Sequence, residues 1–137
     1  MATTRLTAPT PCPCGLPADY AQCCGRWHGA PMHLLAPDAE LLMRSRYSAF
    51  VLDLHDYLLD TWDPQHRPAA LAPNPKSLRW LGLEVLRHER LDEHHALVEF
   101  IARSAQGSRQ HRLHEVSRFQ RQGGRWRYVD ALSVTFE

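Results

Sequence analysis

The chain has 137 residues, a formal net charge of +1 and four each of Trp, Tyr and Phe. A chain of this length can bury one ordinary core and carry a small appendage. Its charge balance excludes a global field that would attract nucleic acid or an anionic membrane, and no apolar run approaches the roughly 20 residues that span a bilayer. The N-terminal residues also lack the apolar stretch of a secretory leader, so we expect a soluble, cytoplasmic protein without a membrane partner.

Changes in composition divide the chain into four segments. Residues 1–11 are small and polar, which predicts a flexible arm. Residues 12–29 contain every cysteine of the chain, and residues 30–37 are a linker bounded by prolines. Residues 38–137 have the periodic apolar pattern of a folded domain.

The cysteines form two close pairs, with Cys12 and Cys14 flanking Pro13, and Cys23 adjacent to Cys24. Four thiols so close in sequence, in a chain expected in a reducing compartment, are typical of a tetrahedral metal knuckle. Such a site is closed by its protein ligands and leaves no coordination position for a substrate. Zinc is the predicted metal, with iron as the alternative, because both suit all-sulfur tetrahedral sites. Separate alternatives are disulfide pairing of each residue in the second pair with Cys12 or Cys14, and four free thiols.

The spacing Cys-x-Cys-x8-Cys-Cys-Gly, with Gly15 and Tyr20 between the cysteine pairs, resembles the SEC-C zinc motif at the C-terminus of the SecA translocation motor. The resemblance implies that the four cysteines bind zinc. The SecA motif accepts histidine as its fourth ligand, which makes His28 an alternative ligand. Because Cys24 already fills the fourth position, we expect His28 to have a packing role instead. We expect Arg26 to offset the negative charge of the thiolates.

Two helices are predicted after the linker. Asp38 is suited to cap the first helix, with Glu40 in its first turn. A break near Asp53 separates the helices, and the sequence Asp63-Pro64 ends the second. Apolar side chains recur at helical spacing along both segments: Ala39, Met43, Tyr47, Phe50, Val51, Leu54, Tyr57, Leu58 and Trp62.

Four segments rich in aliphatic and aromatic residues follow, separated by turns such as Gln106-Gly107 and Gly123-Gly124. They span residues 78–91, 93–104, 108–120 and 125–132. This pattern predicts an antiparallel meander. Helices followed by a run of strands predict an α+β fold, in which the helices pack on one face of a curved antiparallel sheet.

Segments distributed over this domain resemble the bacterial YchJ-type family. They are LMRSRYSAF at 42–50, YLL at 57–59, TW at 61–62, WLGLEV at 80–85, HEVSRF at 114–119 and WRYVD at 126–130. The resemblance implies an N-terminal SEC-C zinc knuckle joined to a cone-shaped, nuclear-transport-factor-2-like domain. It implies no particular enzymatic activity.

Strand alternation selects residues that could line a cavity between the sheet and the helices. Glu115 and Ser117 share a strand face, and His114 points to the opposite side of the sheet from Glu115. In the last strand, the side chains at alternate positions from 126 to 130 share a face. The predicted cavity residues are Tyr47, Glu115, Ser117, Trp126, Tyr128 and Asp130.

The two carboxylates among these residues have two interpretations. A buried Glu115 or Asp130 could act as the general base of an isomerase or dehydratase. Alternatively, each carboxylate pairs with a neighbouring arginine. We favour pairing and assign no catalytic residue, because a function inferred from fold alone is an analogy.

Arginines dominate the second half of the sheet. From Arg103 to Arg127 there are seven arginines and one acid, Glu115. Arg112, His114 and Arg118 are predicted on one strand face, which would form a local basic patch able to contact RNA phosphates.

These observations favour a metal-binding, non-enzymatic protein. The leading hypothesis is a zinc-stapled adaptor that contacts a protein or ribosomal partner. A small-ligand or enzymatic pocket in the cone is the second hypothesis, and RNA binding through the basic strand face is the third.

Overall fold

The computed structural model describes residues 10–29 and 31–137 of the chain. A short 3₁₀ turn at Tyr20–Gln22 is followed by helices α1 (Gly25–His28), α2 (Ala39–Val51) and α3 (His55–Asp60). Strands β1 (Leu78–Arg90), β2 (His95–Gln106), β3 (Arg109–Gln122) and β4 (Arg125–Phe136) complete the chain. The predicted arm falls mainly on residues 1–9, which lie outside the described residues.

The helix signals of the sequence appear at the expected positions. Asp38 is the N-cap of α2, and its Oδ1 accepts a hydrogen bond from the Leu41 backbone N–H at 2.8 Å. The break between α2 and α3 includes Asp53, whose φ of 56° is in the left-handed region that aspartate tolerates better than most residues. Its side chain accepts a hydrogen bond from the backbone N–H of Asn74 at 3.0 Å, which ties this break to the following loop.

The strands form one antiparallel sheet in the order β1-β2-β3-β4, which confirms the predicted meander. Register shifts interrupt the pairing of β1 with β2 and of β3 with β4. Such bulges bend strands and increase their twist. β4 continues four residues past the predicted end at Leu132, because Arg112 and Glu137 exchange two backbone hydrogen bonds that keep the end of β4 on β3.

The helices pack on one face of this sheet and confirm the α+β class. The core contains apolar residues from α2, α3, β2 and β3, including Leu42, Leu58, Val98 and Phe119, each at most 1% exposed. Trp27 of α1 belongs to the same core. The cysteine segment is therefore packed against the α+β domain.

Candidate metal centre and cavity

The four cysteines form one buried group. The Sγ atoms of Cys12, Cys14, Cys23 and Cys24 lie within 4.8 Å of one another, and each residue is at most 5% exposed. Cys14 Sγ and Cys23 Sγ are 3.6 Å apart, near the roughly 3.8 Å that a tetrahedron with 2.3 Å metal–sulfur bonds requires. The cysteines are free thiols and not disulfides. This group could hold a metal ion.

The thiols cannot all ionise together without a cation. Hydrogen bonds from Cys14 and Cys24 hold the pKa of Cys12 far below its usual range. Burial raises the pKa of Cys23 to about 12, and the hydrogen bond with Cys12 raises the pKa of Cys24 strongly. Cys23 and Cys24 therefore retain their protons in the absence of a cation, and a bound divalent cation would displace them.

Two glycines shape the loops that carry the cysteines. Gly15 has a φ of 91°, and its backbone N–H donates to the Cys12 carbonyl at 3.2 Å in a tight turn. A Cβ atom on Gly25 would lie 2.7 Å from the backbone oxygen of Tyr20. This close approach explains in physical terms why glycine follows the second cysteine pair.

Backbone pairing fixes the first cysteine pair from its N-terminal side. The Tyr20 N–H donates to Thr10 O at 2.7 Å, and Pro11 forms an antiparallel bridge with Asp19. Pro11 and Thr10 were predicted to belong to the flexible arm, but the structure includes them in the knuckle because these backbone contacts extend its pairing by two residues.

The knuckle is held against α2 by polar and apolar contacts. Arg44 Nη1 donates to the Cys14 carbonyl oxygen at 3.0 Å, while its Nε forms an ion pair with Glu40 at 3.0 Å. Ser48 Oγ lies 3.7 Å from Cys12 Sγ. Leu83 of β1 packs against the cysteine group from the sheet side. The cysteine group is therefore enclosed by both layers of the domain.

His28 connects the knuckle to α2 but is outside the cysteine group. Its Nε2 donates to the Ser45 carbonyl at 2.8 Å, which leaves Nδ1 to accept the Tyr20 hydroxyl at 2.5 Å in the neutral tautomer. Burial lowers the pKa of His28, which favours this neutral form. Both ring nitrogens therefore make hydrogen bonds within the protein, and His28 has the packing role that was expected. Arg26 remains close to the cysteines, with its Nε donating to the Cys23 carbonyl at 3.0 Å.

A cavity of about 320 Å³ lies between α2 and the sheet. Four of the predicted cavity residues line it: Tyr47, Glu115, Ser117 and Tyr128. Glu115 Oε2 accepts hydrogen bonds from the hydroxyls of Ser117 and Tyr128, at 2.5 and 3.0 Å. The remaining lining is mostly apolar and aromatic: Met43, Arg46, Phe50, Trp62, Trp80, Phe100, Ala102 and Leu113.

Asp130 was predicted in the cavity, and this placement is wrong. The β3–β4 register shifts between Arg118 and Phe119, which pair with Asp130 and Tyr128 respectively. The intervening Val129 is an extra residue that interrupts the alternation of faces. Asp130 therefore pairs with Arg118, accepting hydrogen bonds from Nε at 2.6 Å and Nη2 at 2.8 Å.

Trp126 also lies outside the cavity lining, although it is buried. It is 4% exposed and belongs to the hydrophobic core, opposite Arg121 in the β3–β4 pairing. The Arg90 guanidinium lies 5.1 Å from the centre of its ring. Trp126 is thus a core residue near one end of the sheet.

Three residues that line the cavity were not predicted to do so from the sequence: Arg46, Trp62 and Trp80. Arg46 was not assigned a role from the sequence, and in the structure only 3% of the residue is exposed. A signal was available: Arg46 follows Leu42 by four residues and precedes Phe50 by four, so it lies on the apolar face of α2.

The predicted basic patch contains acidic partners from neighbouring strands. His114 Nε2 lies 2.7 Å from Glu99, and Arg103 lies 3.4 Å from Glu84. Arg118 is paired with Asp130 as described above. These cross-strand pairs offset positive charge on the face where RNA contact was expected.

Comparisons with known proteins agree with this architecture. Residues 38–131 match the family described as "YchJ, middle NTF2-like domain". A UPF0225 protein of Bordetella parapertussis is 56% identical over 124 residues, which cover 90% of this chain and 93% of that protein. A UPF0225 protein of Methylibium petroleiphilum is 60% identical over 123 residues, covering 90% of this chain and 88% of that protein.

Two solved structures share the fold. The solution structure of RPA3114, a SEC-C motif containing protein from Rhodopseudomonas palustris, has a TM-score of 0.74 and 32% identity, covering 92% of this chain and 100% of that one. The crystal structure of a SEC-C motif containing protein from Psychrobacter arcticus has a TM-score of 0.69 and 31% identity, covering 90% of this chain and 84% of that one.

Fold and cysteine group together define a SEC-C motif protein with an NTF2-like α+β domain. The chain belongs to the YchJ family. The relatives compared with it above are UPF0225 proteins. Among the described residues, no helix has the length and apolar character to cross a membrane.

Proposed function

We propose that this protein is a cytoplasmic, zinc-stapled adaptor whose knuckle contacts a protein or ribosomal partner. The observation that supports this proposal best is the closed, buried group of four cysteines fixed against α2. Four thiolates complete a tetrahedral shell, so the bound ion would stabilise the knuckle and leave no position for a substrate. Zinc suits this donor set, and iron is the alternative that elemental analysis distinguishes.

The knuckle presents a surface that a partner could contact. Its cysteines are buried, whereas Pro17, Ala18, Asp19, Ala21 and Gln22 are exposed on the same short segment. A rigid segment loses little conformational entropy on binding, which favours recognition by a preformed surface.

The first test of this proposal is the metal content of the purified, untagged protein. We expect about one zinc ion per chain, and loss of that ion in Cys23→Ser, because three thiolates leave an incomplete tetrahedral shell. Gln22→Ala is the matched control, since Gln22 is exposed beside the ligand and should not change the metal content. A metal-free wild-type protein would contradict the proposal, and iron in place of zinc would revise the metal.

The second test is partner capture from a bacterial lysate, followed by sedimentation to separate ribosome-bound protein from free protein. We expect Ala18→Arg, on the exposed knuckle surface, to reduce capture about tenfold or more by adding a bulky charge to the contact. Ala69→Arg adds the same side chain in an exposed loop after α3 and is the matched control.

Equal capture by both variants would show that the knuckle surface does not contact the partner. Capture that is lost on ribonuclease treatment and at high salt would instead favour the RNA-binding alternative.

A further inference from the structure

Arg46 is a buried cation without a carboxylate partner. Its Nη1 donates to the Leu58 carbonyl oxygen and to Thr61 Oγ1, both at 2.8 Å. Within the described parts of the chain, no Asp or Glu oxygen forms an ion pair with Arg46. Burial lowers the pKa of Arg46 to about 10, because neutral acceptors do not fully replace the water it has lost. A buried charge without a counter-ion is costly.

Two aromatic rings hold the guanidinium in place. Its central carbon lies 4.8 Å from the ring centre of Trp62 and 4.7 Å from that of Tyr128. Cation–π contacts offset part of the cost of burying the charge. They do not provide the negative charge that a guanidinium usually meets in a protein interior.

Glu115 lines the same cavity, and its charge favours the ionised form of Arg46 from a distance, but the two side chains form no ion pair. Its Oε2 accepts the hydroxyl hydrogen bonds of Ser117 and Tyr128. Those two hydrogen bonds hold the Glu115 side chain in its position. Arg46 therefore remains available to an anion from outside the chain.

Two tryptophans in the cavity wall carry buried donors that lack acceptors. Trp62 and Trp80 line the cavity, and the indole Nε1 of each is buried with no hydrogen-bond partner among the described residues. Buried polar groups are normally hydrogen-bonded, so each unpaired donor requires an explanation. Phe50, Phe100 and Leu113 supply an apolar lining around these donors.

We propose that this cavity is a binding site for a small, planar, mainly apolar monocarboxylic acid. The ligand carboxylate pairs with the Arg46 guanidinium and accepts an indole N–H, while its apolar body contacts the aromatic lining. A volume of about 320 Å³ is at the lower end of the range for small-molecule sites, which suits an aromatic acid of modest size. This site is separate from the metal centre and does not depend on the adaptor proposal.

The experiment is an NMR titration of the zinc-loaded, ¹⁵N-labelled protein, following the indole N–H signals of its four tryptophans. The probes are 2-naphthoate, the uncharged 2-naphthalenemethanol and the cationic 2-naphthylmethylamine. We expect 2-naphthoate to shift the Trp62 and Trp80 signals and to bind about tenfold or more tightly than the alcohol, as removal of a charge-assisted hydrogen bond predicts. Trp27 and Trp126 do not line the cavity, and their signals should stay in place.

Three variants and one control test the location of the site and the role of its charged residues. Ala102→Leu fills part of the cavity and should weaken 2-naphthoate binding about tenfold or more. Arg46→Met should remove the preference for the acid over the alcohol, and Arg118→Met, an exposed arginine already paired with Asp130, is its matched control. Glu115→Gln removes the like charge and should leave binding of the acid equal or tighter.

Several results would overturn the proposal. They are unchanged Trp62 and Trp80 signals at millimolar 2-naphthoate, equal or tighter binding of the alcohol or the amine, and binding that Ala102→Leu leaves intact. If Glu115→Gln binds the acid more weakly than the wild-type protein does, Glu115 and not Arg46 recognises the carboxyl group of the ligand. If Arg46→Met does not fold, the comparison of the three probes and Ala102→Leu still decides the result.

Discussion

Removal of the proposed zinc ion is expected to lower the thermal unfolding midpoint by about 6–12 °C. A metal ion that binds the folded chain at about 100 times its dissociation constant stabilises it by roughly 3 kcal/mol, and each kcal/mol corresponds to about 2–4 °C in a domain of this size. Without a cation, the pKa values of Cys23 and Cys24 are raised, so these two thiols stay protonated inside a small buried group. Calorimetry of the protein before and after treatment with a chelator measures this shift.

Re-addition of zinc to the chelated protein is the control for damage by the chelator, and it should restore the midpoint. Cys23→Ser provides an independent control, because chelator should have little further effect on a variant that no longer holds the metal. An unchanged midpoint in the chelated wild-type protein would show that the cysteine group does not stabilise the fold through a metal.

The cysteine group and the fold class were predictable because their signals are local. Cys12, Cys14, Cys23 and Cys24 are within thirteen consecutive positions, so any compact loop brings them together. The N-cap at Asp38 likewise depends on a contact over three residues. The order of helices and strands follows from apolar periodicity, which each segment carries by itself.

The positions that could not be predicted depend on contacts between distant segments. Strand alternation placed Asp130 in the cavity, but a single extra residue at Val129 changed its face, and bulges have no reliable signature in one sequence. The burial of Arg46 depends on Leu58 and Thr61 from α3 and on the ring of Tyr128 from β4. The spacing of Arg46 from Leu42 and Phe50 agrees with the apolar face of α2, but Arg46 was not predicted to be buried, and only the packed structure shows which partners surround its charge.

The division between knuckle and cone is also less sharp than composition suggested. Residues 30–37 were predicted as a linker, yet Ala36 is 7% exposed and belongs to the main core, as does Trp27 of α1. Arg44 connects α2 to the backbone of Cys14. A knuckle fixed in this way moves with the domain, which would present its exposed surface in one orientation.

Trp27→Ala is expected to lower the free energy of unfolding by about 3–5 kcal/mol, the usual cost of truncating a large buried aromatic residue. Trp27 is 8% exposed and carries the contact of α1 with the core that includes Leu42 and Leu58. Denaturant unfolding measures this loss, and Phe136→Ala, at an exposed aromatic position in β4, is a matched control that should cost about 0.5 kcal/mol or less.

The metal content of Trp27→Ala distinguishes two roles for the knuckle. The residues that could hold the ion are the four cysteines, and Trp27 meets them through its backbone N–H, which donates to the Cys24 carbonyl. We therefore expect the variant to retain its metal while the knuckle loses its apolar anchor. Partner capture should then fall although zinc is still bound, because a loosely attached knuckle must be ordered again on binding. Loss of the metal together with the anchor would instead mean that the core shapes the metal site, and that the knuckle cannot form without the cone.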